Sequence, residues 1–306
     1  MLNDLNITQP DTEPEDFLSP EFLRKLEQLS LVAKRVFPGR MRGERRSSKR
    51  GASVEFADYR NYTIGDDFRR VDWNVFARLE KLFLKLHVEE EDLHVYVLID
   101  ASKSMTFGEP SKLFYAKRTA AALGYMALSG FDRVGFAALS GQTAATLSPK
   151  RGKGHIFPIF DWLKGLQGEG ETNLAASIKD FALRTRTPGI AVVISDFFDT
   201  DYQQGILNLL SRRFEVSLIH VLDDEELRPS MVGDLKLIDS ETGAEREISI
   251  SPALLRRYEQ AVTDFCEDIE QFSHRYGINY IRTITSENFE DIILTYLRRR
   301  GMESLP

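Results

Sequence analysis

LHVYVLID at residues 93–100 is an almost unbroken apolar run that ends on an aspartate, and similar runs stand at 190–196 (IAVVISD) and 216–223 (VSLIHVLD). Runs without polar alternation suit parallel strands covered on both faces, because a strand with one wet face would alternate. Between and after these runs the apolar spacing changes to three and four, the period of a helix packed along one stripe. Helices are expected at Ser111–Ser129, at Ile156–Leu166 and at Asn173–Arg184, the last with Leu174, Ile178 and Phe181 on one face. Ser251-Pro252 offers an N-cap and a proline at the first helical position; Leu255, Tyr258, Val262, Phe265, Ile269 and Phe272 carry that helix to Gly277. A strand at Ile278–Ile281 and a final helix from Ser286 to Arg300, stopped by Gly301, complete the set. KLIDSETGAEREISI reads as an inserted hairpin turning at Thr242-Gly243. Strands alternating with helices predict an α/β domain over residues 91–301, a doubly wound, mostly parallel sheet with helices on both faces.

Ahead of it lies a smaller N-terminal α/β segment, residues 19–90, and before that an acidic stretch. No Lys or Arg precedes Arg24, while Asp4, Asp11, Glu13, Glu15 and Asp16 crowd the start among Pro10, Pro14 and Pro20. Residues 1–18 therefore read as a flexible acidic tail, and 302–306 as a short C-terminal one. After Pro20 a helix is expected, with Phe22, Leu23, Leu26, Leu29 and Leu31 as its apolar stripe. Lys34, Arg35, Arg40, Arg42, Arg45, Arg46, Lys49 and Arg50 follow, against the single acid Glu44. That local +7 leaves −14 on the rest of a chain whose total is −7. Such an arm can meet nucleic acid, an anionic surface or an acidic groove, or fold back on its own acidic neighbours. It has no interleaved aromatic apart from Phe37, which argues against nucleic acid.

Composition narrows the class further. With 306 residues, 42% hydrophobic and 28% charged, the chain is globular and long enough to bury a core without covalent staples. Cys266 is the only cysteine, so an intrachain disulfide and a cysteine zinc site are both excluded. The longest uncharged apolar-rich stretch, Thr119 to Phe131, falls short of the roughly 20 residues of a membrane span, and the acidic N-terminus resembles no export signal. The expectation is a cytoplasmic protein with no membrane span.

In doubly wound sheets ligands bind at the carboxyl ends of strands where the strand order reverses. The first apolar run continues into DASKSM, which places Asp100, Ser102 and Ser104 at alternate positions of one loop. GEGETNL offers Thr172 just before a helix, and ISDFFD offers Asp196 just after a strand. Hydroxyls and carboxylates are hard oxygen donors of the kind Mg²⁺ takes. Three loops at one sheet edge can thus offer three hydroxyls and two carboxylates to one octahedral ion, with a position left for a partner's carboxylate. The competing account is capping, since Ser102 or Ser104 could cap the next helix, Thr172 the one at Asn173, and Asp196 could simply end a strand.

These residues resemble the metal-ion-dependent adhesion site of von Willebrand factor A-type domains, an Asp-x-Ser-x-Ser followed by a Thr and an Asp after separate strands. The resemblance implies that Ser102 and Ser104 ligate the metal directly, and Thr172 directly or through water. It implies that Asp100 and Asp196 mainly hold coordinated waters, and that the ion is Mg²⁺, Mn²⁺ or Ca²⁺. A second resemblance rests on residues 51–93, GASVEFADYRNYTIGDDFRRVDWNVFARLEKLFLKLHVEEEDL. Glu55, Phe56, Arg60, Tyr62, Gly65, Asp66, Asp67, Arg69, Asp72, Trp73, Ala77, Arg78, Lys85 and Glu90 match the signature of domain-of-unknown-function family 58. That family is von Willebrand factor A-like, and the likeness extends from about residue 20 to the C-terminus. It implies a partner, a MoxR-type AAA+ ATPase or its client protein, engaged through an acidic residue. Many relatives carry N-terminal membrane helices, and this chain resembles the shorter soluble branch.

The charges of the signature, with Arg60, Arg69, Arg70, Arg78 and Lys85 set among Glu55, Asp66, Asp67 and Asp72, read as an ion-pair scaffold around Trp73. Asp66 or Asp67 is expected to cap the helix holding Trp73 and Phe76. The histidines are scattered without metal spacing, and no phosphate loop or nucleophile elbow occurs. The Glu89–Asp92 run reads as a solvated turn. No catalytic residue is assigned, and the reading is a non-enzymatic, metal-dependent protein-interaction module. Its rivals are a hydrolase using the same ion with Asp199 as base, and a nucleic-acid contact through the arm.

Overall fold

The computed structural model describes residues 19–36, 55–88, 93–130, 132–141, 143–170, 173–230, 233–238 and 245–303. The acidic tail, the arm beyond Val36, the Glu89–Asp92 run, Thr172 and the Thr242-Gly243 turn lie outside them. The chain begins with α1 (Pro20–Val36), β1 (Glu55–Asn61), α2 (Trp73–Leu79) and β2 (Phe83–Val88). It continues through β3 (His94–Asp100), α3 (Lys112–Ser129), β4 (Arg133–Ser140), β5 (Thr143–Arg151), α4 (Ile156–Gly165), α5 (Leu174–Arg184) and β6 (Ile190–Ser195). Then come α6 (Tyr202–Ser211), β7 (Glu215–Leu222), α7 (Asp224–Leu227), β8 (Gly233–Ile238) and β9 (Glu245–Ile250). The last three are α8 (Pro252–Arg275), β10 (Asn279–Ile284) and α9 (Phe289–Glu303).

Six strands form the central sheet in the order β10-β7-β6-β3-β4-β5, all parallel except β5, which runs antiparallel to β4. The alternation within β3 shows why its sequence is apolar throughout. Val95, Val97 and Ile99 enter one core with α1, α3, α4 and α9, while Tyr96 and Leu98 enter the other with α5, α6 and α8. Both faces are covered, so no position of β3 except its first is left half-wet. Chain order reverses at β3, since β4 lies on one side of it and β6 on the other. The carboxyl ends of β3 and β6 are therefore neighbours at the switch point, with Ile99 opposite Ile194.

Helix ends follow their local chemistry. Ser111 Oγ accepts from Phe114 N at 3.2 Å to start α3, Asn173 Oδ1 accepts from Ala176 N at 3.0 Å to start α5, and Ser251 with Pro252 starts α8. Several details differ from expectation: β10 runs on to Ile284 and α9 begins at Phe289 and not at Ser286. Leu31 is 67% exposed, so the buried stripe of α1 is Phe22, Leu26 and Leu29. Gly301 does not stop the last helix, which runs on to Glu303. The stripe places α1 in the main core, where the Phe22 ring stands 6.2 Å from Phe160 and 5.7 Å from Phe289.

The β1–β2 pair forms its own antiparallel sheet, with α2 between its strands in sequence. The cap of α2 is Asp72, which accepts from Asn74 N at 2.9 Å; Asp67 instead caps a single 3₁₀ turn through Arg69 N at 3.0 Å. Asp66 pairs with Arg60 at 2.7 Å and accepts from Thr63, which holds its carboxyl well below the usual range. Trp73 is 58% exposed, so the ion pair of this signature is built around Asp66 and not around the tryptophan.

Packing between α3 and β4 leaves no room for a methyl group at Gly124, where an added Cβ would stand 2.7 Å from Cζ of the buried Phe136 ring. Alanine would gain up to about 1 kcal/mol of helix propensity there, but overpacking a filled core costs typically about 1–3 kcal/mol. The expected net effect of Gly124→Ala is a loss of about 1–2 kcal/mol, read as a lowered urea midpoint. An unchanged or raised midpoint would show that the Phe136 ring can move aside.

Candidate functional site

The switch point places four of the five expected residues on adjoining loops. Asp100 closes β3, and its Oδ1 accepts from Ser102 N at 3.0 Å, which folds the chain back over the strand end. Its Oδ2 accepts from Ser195 Oγ at 2.6 Å, and Ser195 Oγ accepts from Phe197 N at 2.8 Å. The two strand ends are thus tied together below the rim. At the rim, Ser102 Oγ lies 3.0 Å from Ser104 Oγ, and Ser104 Oγ donates to Asp196 Oδ2 at 3.0 Å. Asp196 Oδ1 accepts from Phe198 N at 3.1 Å. Asp100, Ser102 and Asp196 are buried, and Ser104 is half-buried. Phe197, wholly buried, takes a φ of +56°, a left-handed conformation that costs a non-glycine residue energy and that sits directly beside Asp196.

The capping account does not hold for the serines. Ser102 precedes a 3₁₀ turn (Lys103–Thr106) but makes no side-chain cap bond, and α3 and α5 take their caps from Ser111 and Asn173. Asp199, the candidate base of a hydrolase, accepts from Leu174 N at 2.7 Å and Asp201 N at 2.8 Å, so both its oxygens are engaged by backbone.

Among the described residues no three His, Cys, Asp or Glu side chains are grouped to hold a metal. The rim offers a different donor set, rich in hydroxyls. In an octahedron with metal–oxygen bonds of about 2.1 Å, neighbouring ligand oxygens stand about 3.0 Å apart. The Ser102–Ser104 separation, 3.0 Å, is that of such an edge. Hard oxygens at that spacing fit a small divalent cation.

One member of the rim is absent from the sequence reading. Lys112, the first residue of α3, is wholly buried, with Nζ 2.6 Å from Asp196 Oδ2 and 2.5 Å from Glu226 Oε1. Burial alone would lower its pKa, but the Asp196 and Glu226 carboxylates outweigh that and raise it, so the ammonium keeps its proton. Burial also pushes the Glu226 carboxyl up, against the pull of Lys112. Asp100 has no such cation in contact among the described residues: burial first, then the charge of Asp196, pushes its carboxyl up to about 7. Beneath the rim His220 is buried in β7 with Nδ1 2.8 Å from Tyr280 Oη, and burial holds its pKa down at about 3, so the ring is neutral.

Comparison with known proteins agrees with the signature noted in the sequence. The family described as "Protein of unknown function DUF58" matches residues 58–267, more than half of the chain. The uncharacterized protein Rv1480 of Mycobacterium tuberculosis is 28% identical over 297 residues, covering 94% of this chain and 92% of the relative. Among solved structures, the conserved hypothetical protein BatB from Bacteroides thetaiotaomicron is similar with a TM-score of 0.43 at 15% identity, over 69% of this chain and all of BatB. An aerotolerance-related membrane protein from Bacteroides fragilis is similar with a TM-score of 0.41 at 18% identity, over 68% of this chain and 99% of that one. No helix among the described residues is long and apolar enough to cross a membrane.

Proposed function

We propose, from the premise that this chain belongs to the DUF58 family, that it is a protein-interaction module whose switch-point rim holds a divalent cation and receives a carboxylate from a partner. Ser102 and Ser104 would ligate the ion directly, Asp100 and Asp196 would hold its waters, and Thr172 would supply the remaining hydroxyl. The observation that carries this reading is the convergence of Ser102 Oγ, Ser104 Oγ and Asp196 Oδ2 at 3.0 Å steps, with the serines unused as caps. An ion held by neutral hydroxyls keeps most of its charge, and that remaining charge would attract an Asp or Glu of the partner. The partner we propose is a MoxR-type AAA+ ATPase or its client, on the strength of the family resemblance. Mg²⁺ is the first candidate for the ion, followed by Mn²⁺ and Ca²⁺.

At about 1 mM Mg²⁺ and a Kd between about 0.1 and 1 mM, binding stabilises the fold by only about 0.4–1.4 kcal/mol. Calorimetry is therefore the sharper test. Wild-type protein titrated with Mg²⁺ or Mn²⁺ should give a saturable heat that Asp100→Ala loses, and equal heats from both would refute the site. With the cation bound, retention of a MoxR-type ATPase on the immobilised chain should fall on addition of EDTA.

A further inference from the structure

The Lys112 ammonium poses a question that the metal reading leaves open. A buried amine is costly unless charge compensates it, and here it is set against the very carboxylate that faces the serine hydroxyls. Asp196 Oδ2 is shared: Ser104 Oγ reaches it at 3.0 Å and Lys112 Nζ at 2.6 Å. A cation seated on the two serines takes the lone pairs of Ser104 Oγ, and Asp196 then holds the ion's waters through the oxygen that Lys112 occupies. Two positive charges would lean on one oxygen.

The other end of the lysine is anchored to a different element. Glu226 Oε1 lies 2.5 Å from Nζ, while Glu226 Oε2 accepts from Asp223 N at 2.9 Å and closes the capping box of α7. Asp223 in turn accepts from Thr285 Oγ1 at 2.7 Å, and an added Cβ on Gly108 would stand 2.3 Å from Asp223 Oδ2. Nζ also lies 5.2 Å from the centre of the Phe198 ring, on the loop after Asp196. Lys112 therefore links the start of α3, the end of β6 and α7 at a single nitrogen.

We propose that Lys112 is a tethered internal cation that competes with the divalent ion for Asp196, so that it sets the affinity of the site and transmits occupancy to α7. The inference rests on the metal reading and adds its regulation. Without metal, the ammonium bridges Asp196 and Glu226. With metal, repulsion shifts the ammonium toward Glu226, and the hydrogen bonds at the start of α7 loosen. A lysine with a purely structural role predicts the opposite sign, because its removal would spoil the rim and weaken binding.

The test compares Mn²⁺ titrations of wild type, Lys112→Met and Asp100→Ala by calorimetry. Lys112→Met should bind Mn²⁺ about tenfold or more tightly than wild type, since a nearby like charge has been removed and two carboxylates freed. Its melting temperature should also rise more on Mn²⁺ addition than that of wild type. Equal or weaker binding by Lys112→Met, with wild type still binding, overturns the competition and leaves the metal reading standing. No binding by either protein overturns both. Should Lys112→Met fail to fold, hydrogen exchange on wild type decides: Mn²⁺ should speed exchange of the amides at 224–228, and unchanged or slowed exchange there overturns the coupling.

Discussion

Lys112→Ala should lower the folding stability of the metal-free protein by about 3–5 kcal/mol, the range for removing one partner of a buried ion pair. The size follows from what is left behind. Asp196 is wholly buried and Glu226 mostly so, with 14% of its side chain exposed, and both would lose the only cation within contact distance among the described residues. Asp196 cannot regain water without opening the rim. For a chain of this size the loss corresponds to a fall in melting temperature on the order of 10 °C. An exposed pair gives the contrast. Lys236 meets Glu245 at 2.6 Å with both side chains about half exposed, and Lys236→Ala should cost less than about 1 kcal/mol. The deficit of Lys112→Ala should also narrow as pH falls from 8 toward 5, because burial pushes the Glu226 carboxyl up and protonation discharges it. Urea melts of the two variants at both pH values measure all of this, and a deficit below about 1 kcal/mol for Lys112→Ala would contradict the buried-triad account.

Asp100→Asn should make the metal-free protein more stable at pH 8 while abolishing its response to Mg²⁺. Burial and the Asp196 charge raise the Asp100 carboxyl from its ordinary 3.8 to about 7. Between those values the folded chain holds a proton that the unfolded chain has released. The stability due to this group is therefore fully present below 3.8 and is lost as pH rises through about 7. Asparagine carries no such charge, so the difference between variant and wild type should grow from about pH 4 to about pH 7, reach the order of a few kcal/mol and stay level above that. It can still accept from Ser102 N, keeping the turn. A divalent ion reverses the preference, since it favours the carboxylate, and wild-type Mg²⁺ affinity should climb between pH 6 and 8. If the stabilities of the two proteins track each other between pH 4 and 7, Asp100 is not the buried acid described here.

The sequence displays the parts of this architecture whose physics is local. Three strands of the main sheet are plain in LHVYVLID, IAVVISD and VSLIHVLD because both their faces are covered, and the start of α8 is plain in Ser251-Pro252, whereas the cap of α5 is Asn173 and not the Thr172 that the sequence offered. The rim residues are legible for the same reason, since each immediately follows or closes a strand. β4 and β5 are hidden. RVGFAALS is interrupted by Gly135, which sits in close packing and not in a turn: a Cβ there would stand 3.1–3.2 Å from Pro149, Tyr96 and the Leu147 carbonyl, tight enough that a neighbour would have to give. TAATLSPKR is a polar edge strand, and its Pro149 falls where the pairing with β4 slips between Val134 and Phe136. Lys112 is hidden for a different reason. A lysine just after the capping Ser111 reads as an exposed first-turn residue, and only the fold brings positions 84 and 114 residues away onto its nitrogen.

The place of α1 bears on how members of this family should be trimmed and compared. Phe22, Leu26 and Leu29 pack with Val97, Phe160 and Ile293, although the matched stretch opens at residue 58. That stretch closes at 267, partway along α8, before the edge strand β10 and before α9. The matched stretch is thus narrower than what must condense together: a polypeptide cut to it would forfeit one flank of its sheet and two of the helices that roof it.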